Sequence, residues 1–292
     1  MFSRGRLWEE ANPGWNAAAA GRRRHGSAPS LSREEGEHMA SDHIKENIRK
    51  FADTKEPVRI NKYLAQAGIC SRREADRLIA EGKVLVDGAI ALAGQKVFPS
   101  QDIRVEGERA VRQQKRILLV VNKPRGVVCT TEKKWGDVTL EEMVDYPKRV
   151  FYAGRLDKDS EGLILMTNDG ELQNHIMRAA NFHEKEYLVK VDRSVEDTFL
   201  KKMAQGVYLH ELNIKTRPCR IEKTGRRTFR IVLTQGLNRQ IRRMCSELGY
   251  QVEELKRVRI MNIRLGSLPV GQYREASDEE LREICELCKH CV

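Results

Sequence analysis

Apolar positions along this chain switch between helical and strand-like spacing, and they do so in two separate stretches. In residues 57–106, apolar residues at helical spacing predict two short helices, the second beginning at Ser71 with the capping sequence S-R-R-E. The apolar run 84–86 leads directly into Asp87-Gly88, which predicts a strand that enters a tight hairpin. This first stretch is therefore expected to form a small folded unit of helices and strands.

The second stretch, residues 117–284, contains more strands than helices. Strands are predicted at 117–121, 127–130, 150–153, 163–166, 187–191, 229–233 and 260–265. Helices are predicted at 171–178, 195–203 and 239–248. Several neighbouring strands are joined by connections too short for a parallel crossover. We therefore expect an α+β domain with a largely antiparallel sheet.

Three remaining segments lack apolar periodicity. Residues 1–56 carry an alanine run, an arginine cluster and scattered Gly, Pro and Ser, which predicts a disordered tail. The polar segment 106–116 predicts a linker between the two folded stretches. Residues 285–292 are expected to form a C-terminal tail.

Composition narrows the class of partner. The chain has 292 residues, of which 40% are hydrophobic and 33% are charged, and its net charge is +11. Such an excess of positive charge points to a polyanion, most simply nucleic acid. A membrane-surface protein is the competing class, but no amphipathic basic helix or lipidation motif supports it. No apolar run approaches the roughly 20 residues that span a bilayer, and the dispersed cysteines suit a reducing compartment, so we expect a cytoplasmic protein.

Asp157 is the first candidate for chemistry. It follows the apolar residues 150–153 and precedes another apolar run, so it occupies a turn between two strands. A carboxylate held there by a rigid sheet is well placed to meet a substrate. The alternative is that Asp157 only caps the turn through its side-chain oxygen.

Two further segments carry candidate functional residues. In the helix predicted at 239–248, Arg239, Arg242 and Arg243 share one side, opposite an apolar stripe. Clustered guanidiniums suit phosphate or carboxylate, although a solvated basic face would show the same pattern. Tyr187 lies on a predicted strand, on the same face as Lys185. It is either a core aromatic or a platform on which a base stacks.

The sequence RINKYLAQAGICSRREADRLIAEGKVLVDG in the first stretch resembles the S4 RNA-binding domain. Its two short helices, S-R-R-E start and V-x-V-D-G hairpin occur in the order typical of that domain. The resemblance implies a module that docks its basic helix on structured RNA, where a helix start also favours phosphate. The RNA contacts expected in this module are Arg59, Lys62, Arg72, Arg73 and Arg77.

The second stretch resembles the bacterial ribosomal RNA pseudouridine synthases that carry an N-terminal S4 domain. NKPRGVVCTT, GRLDKDSEGLILMTNDG, HEKEYLV and GLNRQIRRM appear in the order of that family, with the closest likeness to the F type acting on large-subunit 23S rRNA. The resemblance implies that Asp157 attacks a flipped-out uridine, that Arg242 pairs with Asp157, and that Tyr187 stacks on the base. The RNA contacts expected in this domain are Lys123, Arg155, Lys158, Asn238, Arg239 and Arg243.

The implied reaction sets expectations for cofactors and partners. Isomerising uridine to its C-glycoside adds and removes nothing, so no cofactor is expected and no motif for one is found. Asp157 could attack either C6 of the base or C1′ of the sugar. The expected partner is ribosomal RNA, most simply 23S, with tRNA left open, no membrane, and a monomeric enzyme. The alternative function is a noncatalytic S4-type RNA-binding or ribosome-assembly protein.

The C-terminus contains one further pattern. Cys285, Cys288 and Cys291 form C-x2-C-x2-C with His290 beside the last cysteine. Thiolates and imidazole at this spacing can bind zinc, but a second ligand pair is missing. No metal site is therefore expected, and the favoured interpretation is a frayed helix whose cysteines fall at i and i+3.

Overall fold

A computed structural model describes residues 56–111, 115–130, 136–178 and 181–289. The tail predicted at 1–56 lies outside these residues except for Glu56, and so do His290, Cys291 and Val292. Within the described ranges, no helix combines the length and the apolar character that crossing a membrane requires.

The N-terminal domain contains two helices and six short strands. The helices are α1 (Ile60–Gln66) and α2 (Arg72–Ala80). The strands are β1 (Val58–Arg59), β2 (Val84–Val86), β3 (Ala89–Ile90), β4 (Lys96–Val97), β5 (Ile103–Val105) and β6 (Glu108–Arg109). Four strands form an antiparallel sheet in the order β3-β2-β5-β6, and β1 pairs separately with β4.

Local sequence signals explain the start of α2 and the β2–β3 hairpin. Ser71 is the N-cap of α2, and its hydroxyl accepts a hydrogen bond from the Glu74 amide at 3.1 Å. Asp87 and Gly88 both have positive φ, 50° and 83°, as a two-residue type I′ turn requires. Apolar side chains of both helices then pack with β2 and β5 in one core.

The predicted linker begins later than the sequence indicated. Strand β6 lies inside it and pairs with β5, with Val105 opposite Glu108. Ala110 is buried, and its carbonyl accepts a hydrogen bond from the Tyr63 hydroxyl at 3.1 Å. The polar composition of this segment hid the strand, because an edge strand exposes most of its side chains.

The C-terminal domain is larger and built around one sheet. Its strands are β7 (Leu118–Lys123), β8 (Phe151–Ala153), β9 (Glu161–Thr167), β10 (Lys185–Val191), β11 (Tyr208–Leu209), β12 (Ile214–Lys215), β13 (Arg220–Gly225), β14 (Thr228–Leu233), β15 (Val252–Ile260), β16 (Ile263–Arg264) and β17 (Tyr273–Glu275). Its helices are α3 (Leu140–Val144), α4 (Gly170–Met177), α5 (Asp197–Ala204), α6 (Gln240–Glu247) and α7 (Asp278–Lys289), with a 3-10 turn at His210–Leu212.

The main sheet has the order β13-β14-β10-β15-β9-β7-β17, with β16 beside β15 and β8 beside β9. Every pairing in it is antiparallel except β9 with β15. The predicted α+β class and the largely antiparallel sheet are therefore confirmed. The strand expected at 127–130 is absent and is replaced by a single bridge between Val128 and Thr139.

The close approach of β9 and β15 depends on Gly162. Gly162 has φ 103°, and a Cβ placed there would lie 2.3 Å from the carbonyl oxygen of Arg257. Any side chain would force the two strands apart. Gly162 therefore sets the contact between the strand that follows Asp157 and the strand that carries Arg257.

The prediction of a C-terminal tail at 285–292 is wrong for the first residues of that segment. Helix α7 continues to Lys289, and Cys285 and Cys288 are buried with Ile284 in a core cluster. Their spacing of three residues places both on the apolar face of the helix, so the pattern that suggested a loose end serves packing. Among the described residues, no group of three or more metal-ligating side chains comes together.

Candidate active site

A cavity of about 450 Å³ opens where residues 154–160, which we call the Asp157 loop, meet β10, β15 and the start of α6. Its lining brings Asp157 and Tyr187 together, although 30 positions separate them in the chain. The charged groups in the lining are one carboxylate, Asp157, and four cations. These cations are Arg155, Lys185, Arg239 and Arg257. The cavity is therefore suited to an anionic ligand such as a nucleotide.

The Asp157 carboxylate is held free of local hydrogen bonds. The Asp157 side chain is 30% exposed, and no described residue donates a hydrogen bond to its oxygens. The turn itself is closed by the backbone, where the Ser160 amide donates to the Asp157 carbonyl at 3.0 Å. The alternative that Asp157 only caps its turn is therefore not what the structure shows.

The ion pair expected between Arg242 and Asp157 is absent, and Arg239 takes its place. The Arg239 Nη1 atom lies 3.8 Å from Asp157 Oδ2 and 3.7 Å from Asp159 Oδ2. Arg239 is the N-cap of α6 and has a left-handed backbone, with φ 51°. This single residue in a left-handed conformation interrupts the helical phase that the sequence assigned to all three arginines.

Arg242 instead holds the backbone of the Asp157 loop. Its Nη2 atom donates to the Asp159 carbonyl at 3.0 Å and lies 3.4 Å from Ser160 Oγ, while Nη1 donates to the Val252 carbonyl at 3.1 Å. Burial lowers the pKa of Arg242, and the charge of Arg239 lowers it further, against the opposing effect of Asp159 and Asp157. Arg242 therefore joins α6 to the loop and acts on Asp157 through it.

The predicted RNA contact Lys123 is wrong, because its side chain is fully buried. Lys123 ends β7, which lies between β9 and the edge strand β17. Its Nζ atom donates to the carbonyls of Pro124 and Ser160, both at 2.8 Å. Arg257, also buried, donates from Nε to the Leu163 carbonyl at 2.7 Å and from Nη1 to the Arg155 carbonyl at 3.5 Å. Together with Arg242, these cations donate hydrogen bonds to backbone carbonyls near both ends of the Asp157 loop.

The burial of Lys123 predicts a pH-dependent stability. Burial lowers the pKa of Lys123 from 10.5 to about 8, and the charges of Cys129 and of nearby carboxylates oppose the shift. Between these two values the unfolded chain binds more protons than the folded one, so the free energy of unfolding rises with pH across that window. Across this window, the free energy of unfolding of the wild type should rise by up to about 3 kcal/mol more than that of Lys123→Met. Urea unfolding of both proteins at pH values on either side of the window measures this difference. If the unfolding free energies of the two proteins changed equally with pH, the prediction would be wrong.

Tyr187 forms the wall opposite the loop. It lies on β10 between Ile231 of β14 and Arg257 of β15, and only 9% of its surface is exposed. Lys185 shares its face, as the strand periodicity predicted, and also lines the cavity. Burial, and then the charge of Arg257, lowers the pKa of Lys185 to about 8. The cavity thus holds an aromatic ring and an amine whose pKa is well below that of an exposed lysine.

Of the other RNA contacts predicted in the C-terminal domain, some line the cavity and others do not. Arg155 and Asn238 line the cavity, whereas Arg243 forms an ion pair with Glu211 and donates to the Asn238 carbonyl at 3.1 Å. Asn238 directly precedes Arg239, which is the N-cap of α6. Lys158 is exposed and pairs with Asp137 at 2.8 Å, outside the cavity lining.

The predicted contacts of the N-terminal domain lie away from the cavity. Arg59, Arg72 and Arg73 are exposed. Arg77 is also exposed, but it pairs with Glu74 and, at 2.9 Å, with Glu81, so its charge is already shared between two carboxylates. Lys62 pairs with Glu171 of the C-terminal domain at 2.9 Å.

Sequence reasoning missed Arg257 and the buried role of Lys123. The segment Val252–Ile260 is rich in charged residues, and two charged pairs break its alternation with apolar residues. No pattern within it marks Arg257, because its burial follows from the parallel contact with β9. Lys185 did carry a signal, since it shares a strand face with Tyr187.

Comparisons with known proteins identify the families that the two domains resemble. A family model described as RNA pseudouridylate synthase matches residues 117–247, and a model described as S4 domain matches residues 58–103. The chain is 46% identical over 235 residues to the dual-specificity RNA pseudouridine synthase RluF of Escherichia coli strain K12, which covers 80% of each chain. It is 34% identical over 240 residues to the ribosomal large subunit pseudouridine synthase B of Bacillus subtilis, covering 80% of this chain and 97% of that one.

A solved structure shows that the fold is also similar to that of a pseudouridylate synthase. A crystal structure of a pseudouridylate synthase aligns with a TM-score of 0.58 and 28% identity, covering 78% of this chain and 99% of that one. The two family models together cover most of the S4 core and all residues of the Asp157 cavity lining except Leu255 and Arg257. The chain therefore belongs to the RNA pseudouridine synthase family, as an isomerase with an S4 domain ahead of its catalytic domain.

Proposed function

We propose that this enzyme isomerises a uridine of 23S ribosomal RNA to pseudouridine, with Asp157 as the nucleophile. The observation that carries the proposal is a carboxylate without hydrogen bonds, facing a cationic cavity that also contains Tyr187. The names of its relatives, among them a large-subunit synthase, support ribosomal RNA as the substrate. We further propose a monomer acting in the cytoplasm, in keeping with a net charge of +11 and a large RNA partner.

The proposed roles follow from what the reaction needs. The target uridine leaves its stack at a cost of about a few kcal/mol, which stacking on Tyr187 and contacts from Arg155 and Arg239 to the RNA backbone offset. Asp157 bonds to the nucleotide while the N1–C1′ bond breaks, and C5 of the rotated base then joins C1′. The C5 proton leaves, N1 ends protonated, and release of Asp157 restores the enzyme, so atoms and electrons balance without a further reactant.

One experiment tests the activity directly. Purified protein is incubated with 23S rRNA transcribed without pseudouridine, and carbodiimide modification with primer extension maps the product. We expect a stop at a single uridine, and no new stop would contradict the proposal in favour of a noncatalytic RNA-binding protein. Parallel incubations with 16S rRNA and tRNA transcripts determine whether a second substrate exists, which the description dual-specificity of one relative makes worth testing.

The S4 domain is proposed to dock on RNA phosphates through Arg72 and Arg73. Replacing both by alanine should weaken RNA binding at least about tenfold and lower the slope of log K against log salt by about 1.5, while sparing the rate at saturating RNA. The matched control is Lys201→Ala with Lys202→Ala, which removes two exposed cations from α5. Filter binding at several salt concentrations measures the slopes, and equal slopes for the two double variants would rule out phosphate docking by α2.

A further inference from the structure

A second cleft of about 250 Å³ lies between the two domains and shares no lining residue with the Asp157 cavity. Helices α1 and α2 of the S4 domain form one wall. The other wall comes from residues around β8 and the start of α4. The ion pair between Lys62 and Glu171 crosses the edge of this cleft and ties the walls together. A ligand bound here would therefore contact both domains at once.

Each wall contributes one unpaired cation. Arg72 comes from the S4 domain and Arg149 from the catalytic domain, and neither forms an ion pair or side-chain hydrogen bond with any described residue. Arg149 is close enough to the S4 domain for its charge to oppose the rise that burial causes in the pKa of Cys70. The one carboxylate on which the charge of Arg149 is seen to act is Glu141, whose pKa burial raises and Arg149 lowers, and the two form no ion pair. Two guanidiniums that face one cleft without ion-paired carboxylates suit a phosphodiester.

Each wall also contributes one unused amide. The side chains of Gln66 and Asn174 line the cleft, and neither is hydrogen-bonded to another described side chain or backbone group. Two neighbouring amides differ in this respect, because Gln173 donates to the Tyr152 carbonyl at 2.9 Å and Asn168 donates to the Lys115 carbonyl at 2.9 Å. Free amides can recognise the donor and acceptor edge of an unpaired base.

An aromatic ring and a glycine complete the cleft. Phe151 is half-buried in the lining, and the guanidinium carbon of Arg149 lies 5.8 Å from its ring centroid. A Cβ at Gly170 would lie 3.9 Å from Phe151 Cζ and 4.0 Å from Arg72 Nη2. The missing side chain at Gly170 leaves open the space between a ring and a cation, where a stacked base and its phosphate would fit.

We propose that this interdomain cleft binds one unpaired nucleotide of the RNA substrate, distinct from the target uridine. Its phosphodiester lies between Arg72 and Arg149, its base lies against Phe151, and Gln66 and Asn174 meet the base edge. The inference rests on the proposed function in one respect, namely that RNA is the substrate. An RNA held at both sites must present an unpaired nucleotide at a defined distance from the uridine, so the second cleft helps to select the modified position.

RNA binding and catalysis are measured separately to test this. Arg149→Ala should weaken binding of the 23S transcript about tenfold and lower its salt slope by about 0.7, the value for one phosphate contact to single-stranded RNA. Phe151→Leu should weaken binding about tenfold without changing the slope, because it removes stacking and no charge. Both variants should keep the wild-type rate at saturating RNA. Lys201→Ala, an exposed cation on α5, is the control for loss of general positive charge.

Gly170→Ala provides a test that removes no group. Its added methyl should pack between Phe151 and Arg72 and so weaken binding, while the helix that begins there is kept. Unchanged affinity in all three variants would overturn the cleft proposal even if the enzyme forms pseudouridine normally. Conversely, weakened affinity in a protein that forms no pseudouridine would support the cleft and contradict the proposed activity, so the two failures are distinguishable.

Discussion

Replacing Asp157 by asparagine is expected to abolish pseudouridine formation while leaving RNA binding intact. The amide is nearly the same size as the carboxylate but cannot act as the nucleophile, so the single-turnover rate should fall by at least about 10⁴-fold. Affinity for the 23S transcript should be unchanged or slightly higher, because the substitution removes a negative charge from the cavity that we propose binds the polyanionic RNA. Rates at saturating enzyme and filter binding measure the two effects independently.

Asp159→Asn is the matched control for this experiment. Asp159 belongs to the same loop and lies 3.7 Å from the same Arg239 atom, but its side chain is 67% exposed and outside the cavity lining. It should keep the wild-type rate within about a few fold, as expected for an exposed ion pair. Product formation that survives Asp157→Asn, or is lost equally in both variants, would contradict the assignment of Asp157 as the nucleophile.

Arg242→Ala is expected to lower both stability and rate. The substitution removes three hydrogen bonds that connect α6 to the Asp157 loop and to the start of β15. Each hydrogen bond from a charged group contributes about 1.5–3 kcal/mol, and the freed carbonyls can partly return to water, so we expect a net loss of about 3 kcal/mol in unfolding free energy. The rate should fall about 100-fold, because the loop no longer holds Asp157 in one position. Urea unfolding and single-turnover kinetics measure these changes.

Arg239→Ala tests whether Arg239 acts by its charge near Asp157, in contrast to Arg242, which holds the loop in place. Arg239 is 41% exposed and approaches Asp157 only at 3.8 Å, so its removal should leave the unfolding free energy within about 0.5 kcal/mol of wild type. The rate should still fall, because the cation nearest the nucleophile is lost. If Arg239→Ala destabilised the protein as much as Arg242→Ala, the division of roles between these two arginines would be wrong.

The regular elements with strong apolar periodicity were predictable from the sequence. The S4 helices, the Asp87-Gly88 hairpin, and the strands that carry Tyr187 and follow Asp157 all lie where the pattern indicated. Strands β13 and β15 were not predicted, since their charged residues obscure the alternation and only pairing in the sheet orders them. The end of α7 was assigned to a tail because the i and i+3 spacing of its cysteines was interpreted as a frayed helix end, whereas Cys285 and Cys288 are buried as small apolar side chains.

The sequence by itself determined the two domains, the class of fold and the residues Asp157 and Tyr187 as candidates, because these depend on local spacing and short motifs. Only the tertiary structure decided which cation serves which purpose. Arg239 reaches Asp157, Arg242 and Arg257 hold the loop, and Lys123 is buried beneath it. The physical reason is that a side chain's role depends on burial and on partners from distant strands. A left-handed residue at the start of α6 and a glycine on β9 set these contacts, and neither is visible in helical or strand periodicity.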